Sequence, residues 1–151
     1  MFINFQKLVK LIIMKTFEEG ILKLLYMTAA IDGDLSSIEL DSIKAKLVTY
    51  PLLKTITSVR RERVLSDLME NNYNSKSESE ILKEINDVIP DNLKETAYAL
   101  ALEICAKDLV MHKNEIVFMK KVAKLFGIDD ATSEALKKSV DVRYFAKPLK
   151  D

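Results

Sequence analysis

Apolar residues recur at intervals of three and four along most of this chain, the spacing of helices that bury one face. Ile21, Leu24, Leu25 and Thr28 follow that spacing up to Gly33, and Thr16 with Glu19 reads as a capping box opening the segment. Ser36 with Glu39 is a second box. The helix it opens carries Leu40, Ile43 and Leu47 on one face and stops near Pro51, because the residue before a proline is driven out of helical geometry. Ile56 to Met69 is a third periodic segment with Val59, Leu65 and Leu68, and Asn71, Asn72, Tyr73, Asn74 and Ser75 read as a polar turn. Ser77 with Glu80 opens a shorter helix carrying Ile81, Ile85 and Val88, ended by Pro90. Asn92 with Glu95 opens the next, predicted to run to about Val110. Its face holds Ala97, Leu100, Ala101, Ile104, Cys105 and Asp108. Small side chains let helix backbones approach closely, which places this helix at the centre of a bundle. His112 to Phe126 is periodic through Ile116, Met119, Val122 and Ala123, with Gly127 as its C-terminal cap. Asp129 or Asp130 caps a last helix to about Val140. The tail from Asp141 to Asp151 contains the run VRYF, which has extended character but is too short to make a sheet. The expected fold is all-α, a bundle of seven or eight helices in one domain spanning 1–151, with its core at about 16–140.

The opening residues change little in this picture. Residues 3–15 are predicted as a separate amphipathic helix with Phe5, Leu8, Leu11 and Ile12 on one face. It is expected to dock on the domain or on a partner, with a membrane surface as the open alternative. Lys7 and Lys10 break its apolar stretch, and no small-residue cleavage site follows, so a signal peptide is not expected. No window of the chain approaches the ~18 apolar residues of a spanning helix, so no transmembrane segment is expected.

Charge removes further function classes. Lys and Arg total 23, Asp and Glu total 23, and the balance holds by halves, with ten basic and nine acidic residues before position 76. Without a polybasic arm or an aromatic platform, nucleic-acid binding is not expected. Lys113, Lys120, Lys121 and Lys124 on one segment, and Arg60, Arg61 and Arg63 on another, read as wet faces. One histidine excludes two-histidine zinc sites, one cysteine excludes an intramolecular disulfide, and three glycines leave no phosphate loop. Cys105 reads as a buried thiol and His112 as an exposed cap residue. Tyr26, Tyr50, Tyr73, Tyr98 and Tyr144 are scattered along the chain.

The chain resembles itself at a shift of 76 positions: Ala30 falls on Ala106, Asp32 on Asp108, Glu39 on Glu115, Ile43 on Met119 and Tyr50 on Phe126. Each copy reads helix, tight acidic turn, helix. Two copies suit a pseudo-two-fold bundle in which helical hairpins share one core. The stretches TAAIDGDLSSIELDSIKAKL, Thr28 to Leu47, and ICAKDLVMHKNEIVFMKKVAKLFGID, Ile104 to Asp129, resemble the two hairpins of the TerB-like family, all-helical bacterial domains named for a tellurite-resistance protein. The family's turn falls on Ala30, Asp32, Gly33 and Asp34, with its glutamate on Glu39. Its second hairpin puts an aspartate on Asp108 and a glutamate on Glu115. Leu109 and Val110 depart from the family, which often has glycine and a polar residue there.

The resemblance implies a binding or scaffold domain without enzymatic chemistry, connected with stress or metal-ion response and with membrane-associated complexes. The expected partner is a protein or such a complex, with a homodimer as an open alternative, and the expected compartment is the cytoplasm. Candidate ligands for a divalent cation are Asp32, Asp34, Glu39, Asp108 and Glu115, since hard cations take oxygen ligands. The first turn is not an EF-hand: Ser37 stands where the loop requires glycine, and Ile43 where it requires glutamate. The competing reading of these residues is a capped, closed turn. The competing function is a metal-dependent enzyme with a carboxylate site at Asp32, Asp34 and Asp108, which requires those groups to converge in one pocket.

Overall fold

A computed structural model describes residues 4–31, 37–75, 78–106 and 111–144, except the side chains at 7, 9–16, 37–40, 42 and 70–75. The described residues form seven α-helices: α1 Phe5–Ala29, α2 Ser37–Leu47, α3 Ser58–Ser75, α4 Glu78–Val88, α5 Asp91–Cys105, α6 Lys113–Phe126 and α7 Asp130–Tyr144. A short 3-10 turn at Pro51–Leu53 joins α2 to α3, and no strand occurs among the described residues. The protein is an all-α bundle.

Its centre is the second half of α1 together with α5. Ile21, Leu22, Leu24, Leu25, Tyr26 and Ala29 are buried on every side of α1, as in a helix enclosed by its neighbours. α3, α4, α5 and the 3-10 turn enclose it. Thr28 is tolerated there because its hydroxyl donates to the Leu24 carbonyl at 2.7 Å. Gly20 permits the contact with α4: a Cβ at this position would lie 2.6 Å from Val88 Cγ2. On α5, Ala97 and Ala101 are fully buried, as their small size predicts, and the helix packs against α1, α6 and α7. The buried Glu18 carboxylate has polar partners: the Thr55 hydroxyl donates to it at 2.8 Å, and Arg60 approaches at 3.6 Å while also pairing with Glu19 at 3.2 Å.

Five element boundaries differ from expectation, one of them the end of α5, which stops at Cys105 rather than near Val110. α1 is one helix of 25 residues, so Thr16 and Glu19 lie inside it and open nothing. A capping box requires non-helical backbone at its first residue, and nothing between Leu11 and Gly20 stops a helix. The helix instead starts after Asn4, whose side chain accepts the Gln6 N–H at 3.0 Å, and Phe5 is 76% exposed rather than docked on the domain. α3 continues through the asparagine-rich 71–75. Asparagine costs only a few tenths of a kcal/mol to about 0.7 kcal/mol per helical position, which a helix already formed can absorb. α5 starts at Asp91, with Pro90 rather than Asn92 as its cap residue. α7 reaches Tyr144, so Val142 to Tyr144 are helical. Gly127, at φ 69°, closes α6 as expected, and Asp129 accepts the Thr132 N–H at 2.7 Å at the start of α7.

The two stretches of the internal repeat share their helix ends. α1 ends at Ala29 and α5 at Cys105, α2 opens at Ser37 and α6 at Lys113, each pair 76 positions apart. The residues closing α1 and α5, Ala30 and Ala106, have the same right-handed backbone. Leu25 and Ala101, Ile43 and Met119, and Leu47 and Ala123 are matching buried pairs. The second helices differ. α6 packs along α5 and also against α4, whereas among the described residues α2 makes no comparable contact with α1.

Candidate binding cleft and polar cluster

Of the five carboxylates expected to mark a cation site, Asp32, Asp34 and Asp108 lie outside the described residues, as does the side chain of Glu39. Glu115 is described and is 1% exposed. Its Oε1 accepts the backbone N–H of His112, the residue that caps α6, at 3.1 Å. This is the reach-back arm of a capping box, and the N-terminal end of the helix dipole favours a carboxylate there. His112 is exposed and Cys105 is fully buried. Among the described residues, no three His, Cys, Asp or Glu side chains gather in a way that could hold a metal ion.

A concavity lies where the end of α1 meets α3, α4 and α6. It is a cleft of about 370 Å³. Met27, Ala30 and Ile31 form its floor, Leu68 and Ile81 its sides, and Asn114, Val117, Phe118 and Lys121 its wall on α6. The α6 spacing, 114, 117, 118 and 121, brings these four residues to one face. Phe118 turns into the core, while Val117 is 46% exposed. Across the opening Lys121 pairs with Glu78 at 3.1 Å. The cleft therefore offers apolar walls, one amide and one half-exposed ion pair. Such a lining can seat an apolar side chain and fix its neighbours by polar contacts. Its described lining residues include no nucleophile beside a base.

A second polar site joins residues far apart in the sequence. Glu103 of α5 accepts the Tyr50 hydroxyl at 3.0 Å on Oε2 and pairs with Arg143 of α7 at 2.8 Å on Oε1. Lys46 of α2 donates to the Glu103 backbone carbonyl at 2.9 Å, and its ammonium lies 5.0 Å from the centre of the Tyr144 ring. Arg143 approaches the same ring at 5.3 Å. Thus Tyr50 and Tyr144, expected to be scattered, meet around one carboxylate. Burial pushes the Tyr50 hydroxyl well above its ordinary value, and the neighbouring Glu103 charge adds to this. Burial lowers Lys46, with Glu103 opposing. The cluster ties α2, α5 and α7 together. One sequence signal pointed to it: Lys46 and Tyr50 occupy the repeat positions of the buried Val122 and Phe126.

A third polar feature is Tyr26, whose hydroxyl is buried with no hydrogen-bond partner among the described residues. Its pKa is pushed up to about 12 by burial, with Glu62 contributing.

No helix among the described residues is long and apolar enough to cross a membrane. Comparison with protein-family models, with curated proteins and with solved structures returns no match.

Proposed function

We propose that this chain is a non-enzymatic helical binding domain of the TerB-like kind, acting in the cytoplasm on a protein or a membrane-associated complex, within a stress or metal-ion response. The observation that carries the binding reading is the cleft bounded by α1, α3, α4 and α6. It has apolar walls and the half-exposed Val117 at its mouth, features suited to receiving a partner's apolar side chain. The TerB-like reading draws support from the shared helix ends of the two repeat stretches and from the buried Glu115 at the start of α6. A divalent cation held by Asp32 or Asp34 belongs to the same reading.

A photo-crosslinking amino acid at position 117, compared with one at the exposed Val59 on α3, tests the binding role in the producing cell. The expected result is one protein captured at 117 and not at 59. That protein, once purified, should bind Val117→Asp about tenfold more weakly than wild type, roughly 1.4 kcal/mol. Equal capture at both positions, or unchanged affinity, would remove the cleft from the function. Calorimetric titration of calcium, magnesium and manganese into wild type and Asp32→Ala tests the cation: binding lost in the variant supports it, and binding by neither protein leaves only a capped turn.

A further inference from the structure

We infer that the partner segment received by the cleft is acidic: an amphipathic helix that places an apolar residue beside Val117 and carboxylates on the lysines of α6. This rests on the binding role proposed above and specifies the chemistry of the occupant. The argument is charge complementarity. Every charged side chain that α6 exposes is a lysine: Lys113, Lys120, Lys121 and Lys124. Its one acid, Glu115, is buried in the cap. Lys121 is answered by Glu78 across the cleft, whereas Lys113, Lys120 and Lys124 pair with no carboxylate among the described residues.

The geometry joins this charge to the cleft. Asn114, Val117 and Lys121 line it, and helical spacing carries the same stripe on to Lys124 and Leu125, one turn further. Leu125 is 36% exposed and Val117 46%, so the stripe alternates apolar and cationic along about two to three turns. A helix laid in such a groove is read through apolar anchors at i, i+3 or i+4, and i+7. Flanking carboxylates would replace the solvent around Lys120 and Lys124 and would speed encounter at low salt. A basic partner would meet like charge at Lys113, Lys120 and Lys124. Zero net charge on the chain makes this local concentration of lysine more telling, since the cationic face is not a by-product of an overall basic composition.

The probe is a set of three stapled helical peptides with one shared Leu/Phe face, flanked by glutamate, serine or lysine. Each is titrated into the isotopically labelled full chain, and backbone amide shifts are followed by NMR. The expected result is that the glutamate peptide shifts Asn114, Val117, Lys121 and Lys124. Its affinity should exceed that of the serine peptide by about tenfold at low salt, and the advantage should fade as salt shortens the screening length. Lys120→Glu and Lys124→Glu, both exposed and therefore compatible with folding, should each remove most of that advantage. Serine and glutamate peptides binding equally at these residues would overturn the acidic partner and leave the binding cleft standing. No shift at the cleft with any peptide would overturn both. Vesicles of phosphatidylcholine containing phosphatidylserine form a separate arm. Shifts along α6 with vesicles and none with the glutamate peptide would replace the acidic helix by an anionic membrane surface and overturn the proposal.

Discussion

The hairpins α1–α2 and α5–α6 turn at equivalent positions, with the ends of α1 and α5 and the starts of α2 and α6 each 76 residues apart, yet their second helices are held by different forces. α6 turns Met119, Val122, Ala123 and Phe126 into the core and is closed by Gly127. α2 contributes Ile43 and Leu47 to the core, but Lys46 and Tyr50 stand where α6 has Val122 and Phe126. Both reach Glu103, and Lys46 also lies over the Tyr144 ring, while the Tyr50 ring still packs against the core. Burial of apolar area is non-directional, whereas a shared carboxylate fixes geometry. The first hairpin has therefore exchanged part of its apolar contact for a directional tie to α5 and α7. The second keeps the apolar contact and leaves its outer face, with Val117 and the lysines of α6, exposed to solvent.

Exchanging the two solutions tests this difference most severely. Val122→Lys places the first hairpin's residue at a fully buried site without Glu103 or Tyr144 to receive it. The expected loss is about 3–5 kcal/mol, the scale of an uncompensated buried charge, visible as collapse of the thermal transition. The reverse change, Lys46→Val, removes only half-buried contacts and should cost about 1 kcal/mol. Similar losses for the two variants would show that the helices are held alike.

Removing the α6 cap comes next. Glu115→Ala leaves the His112 N–H without its acceptor and a gap at a buried site, so denaturant unfolding should show a loss of about 2 kcal/mol. If the first copy carries the same box, Glu39→Ala should also destabilise, by about 1 kcal/mol. No effect of Glu39→Ala would separate the two hairpins at their turns as well.

At the polar cluster the expected changes are smaller and depend on pH. Glu103→Gln should cost about 1 kcal/mol near neutrality, because its contacts with Arg143 and Tyr50 lose their charge. The folded state holds Tyr50, Tyr26 and Tyr98 protonated above their ordinary value of 10.0. Between the unfolded and folded values the native chain binds more protons, so stability falls as pH rises past about 10. Lys46 acts in the opposite sense: its folded value is lowered, so its contribution rises with pH between that value and the ordinary 10.5 and is constant above it. Three tyrosines outweigh one lysine, and the midpoint of urea unfolding should drop from about pH 9 to 11, less steeply in Tyr50→Phe. An unchanged slope in that variant would take Tyr50 out of the cluster's energetics.

The legible and illegible parts of this molecule divide along the same line. Segments whose signal is local were readable: the period of α6, the left-handed Gly127, the Asp129 cap, and the alanine face of α5. Local signals also misled. The pattern Thr-x-x-Glu at Thr16 occurs inside α1, where the backbone stays helical and the side chains cannot cap anything. The Glu103 cluster joins residues from three helices that lie 40 or more positions apart, so no window contains it. The cleft likewise depends on the spacing among four helices, which side-chain volume sets and periodicity does not encode.

The smallest expected effect concerns α1, which packs against α3, α4 and α5. Tyr26→Phe deletes a buried hydroxyl without a partner, so it should leave stability unchanged or raise it by about 1 kcal/mol. A loss of comparable size in thermal denaturation would mean that this hydroxyl is satisfied in solution.

The claim on which the account turns is that the second hairpin is the one that recognises a partner. Hydrogen–deuterium exchange of the full chain, alone and with the protein captured at position 117, measures this directly. Added protection is expected along α6 and at Ile81 and Leu82 of α4, with α2 from Asp41 to Leu47 unchanged. Protection confined to α2 and the Glu103 cluster, with α6 unaffected, would contradict it.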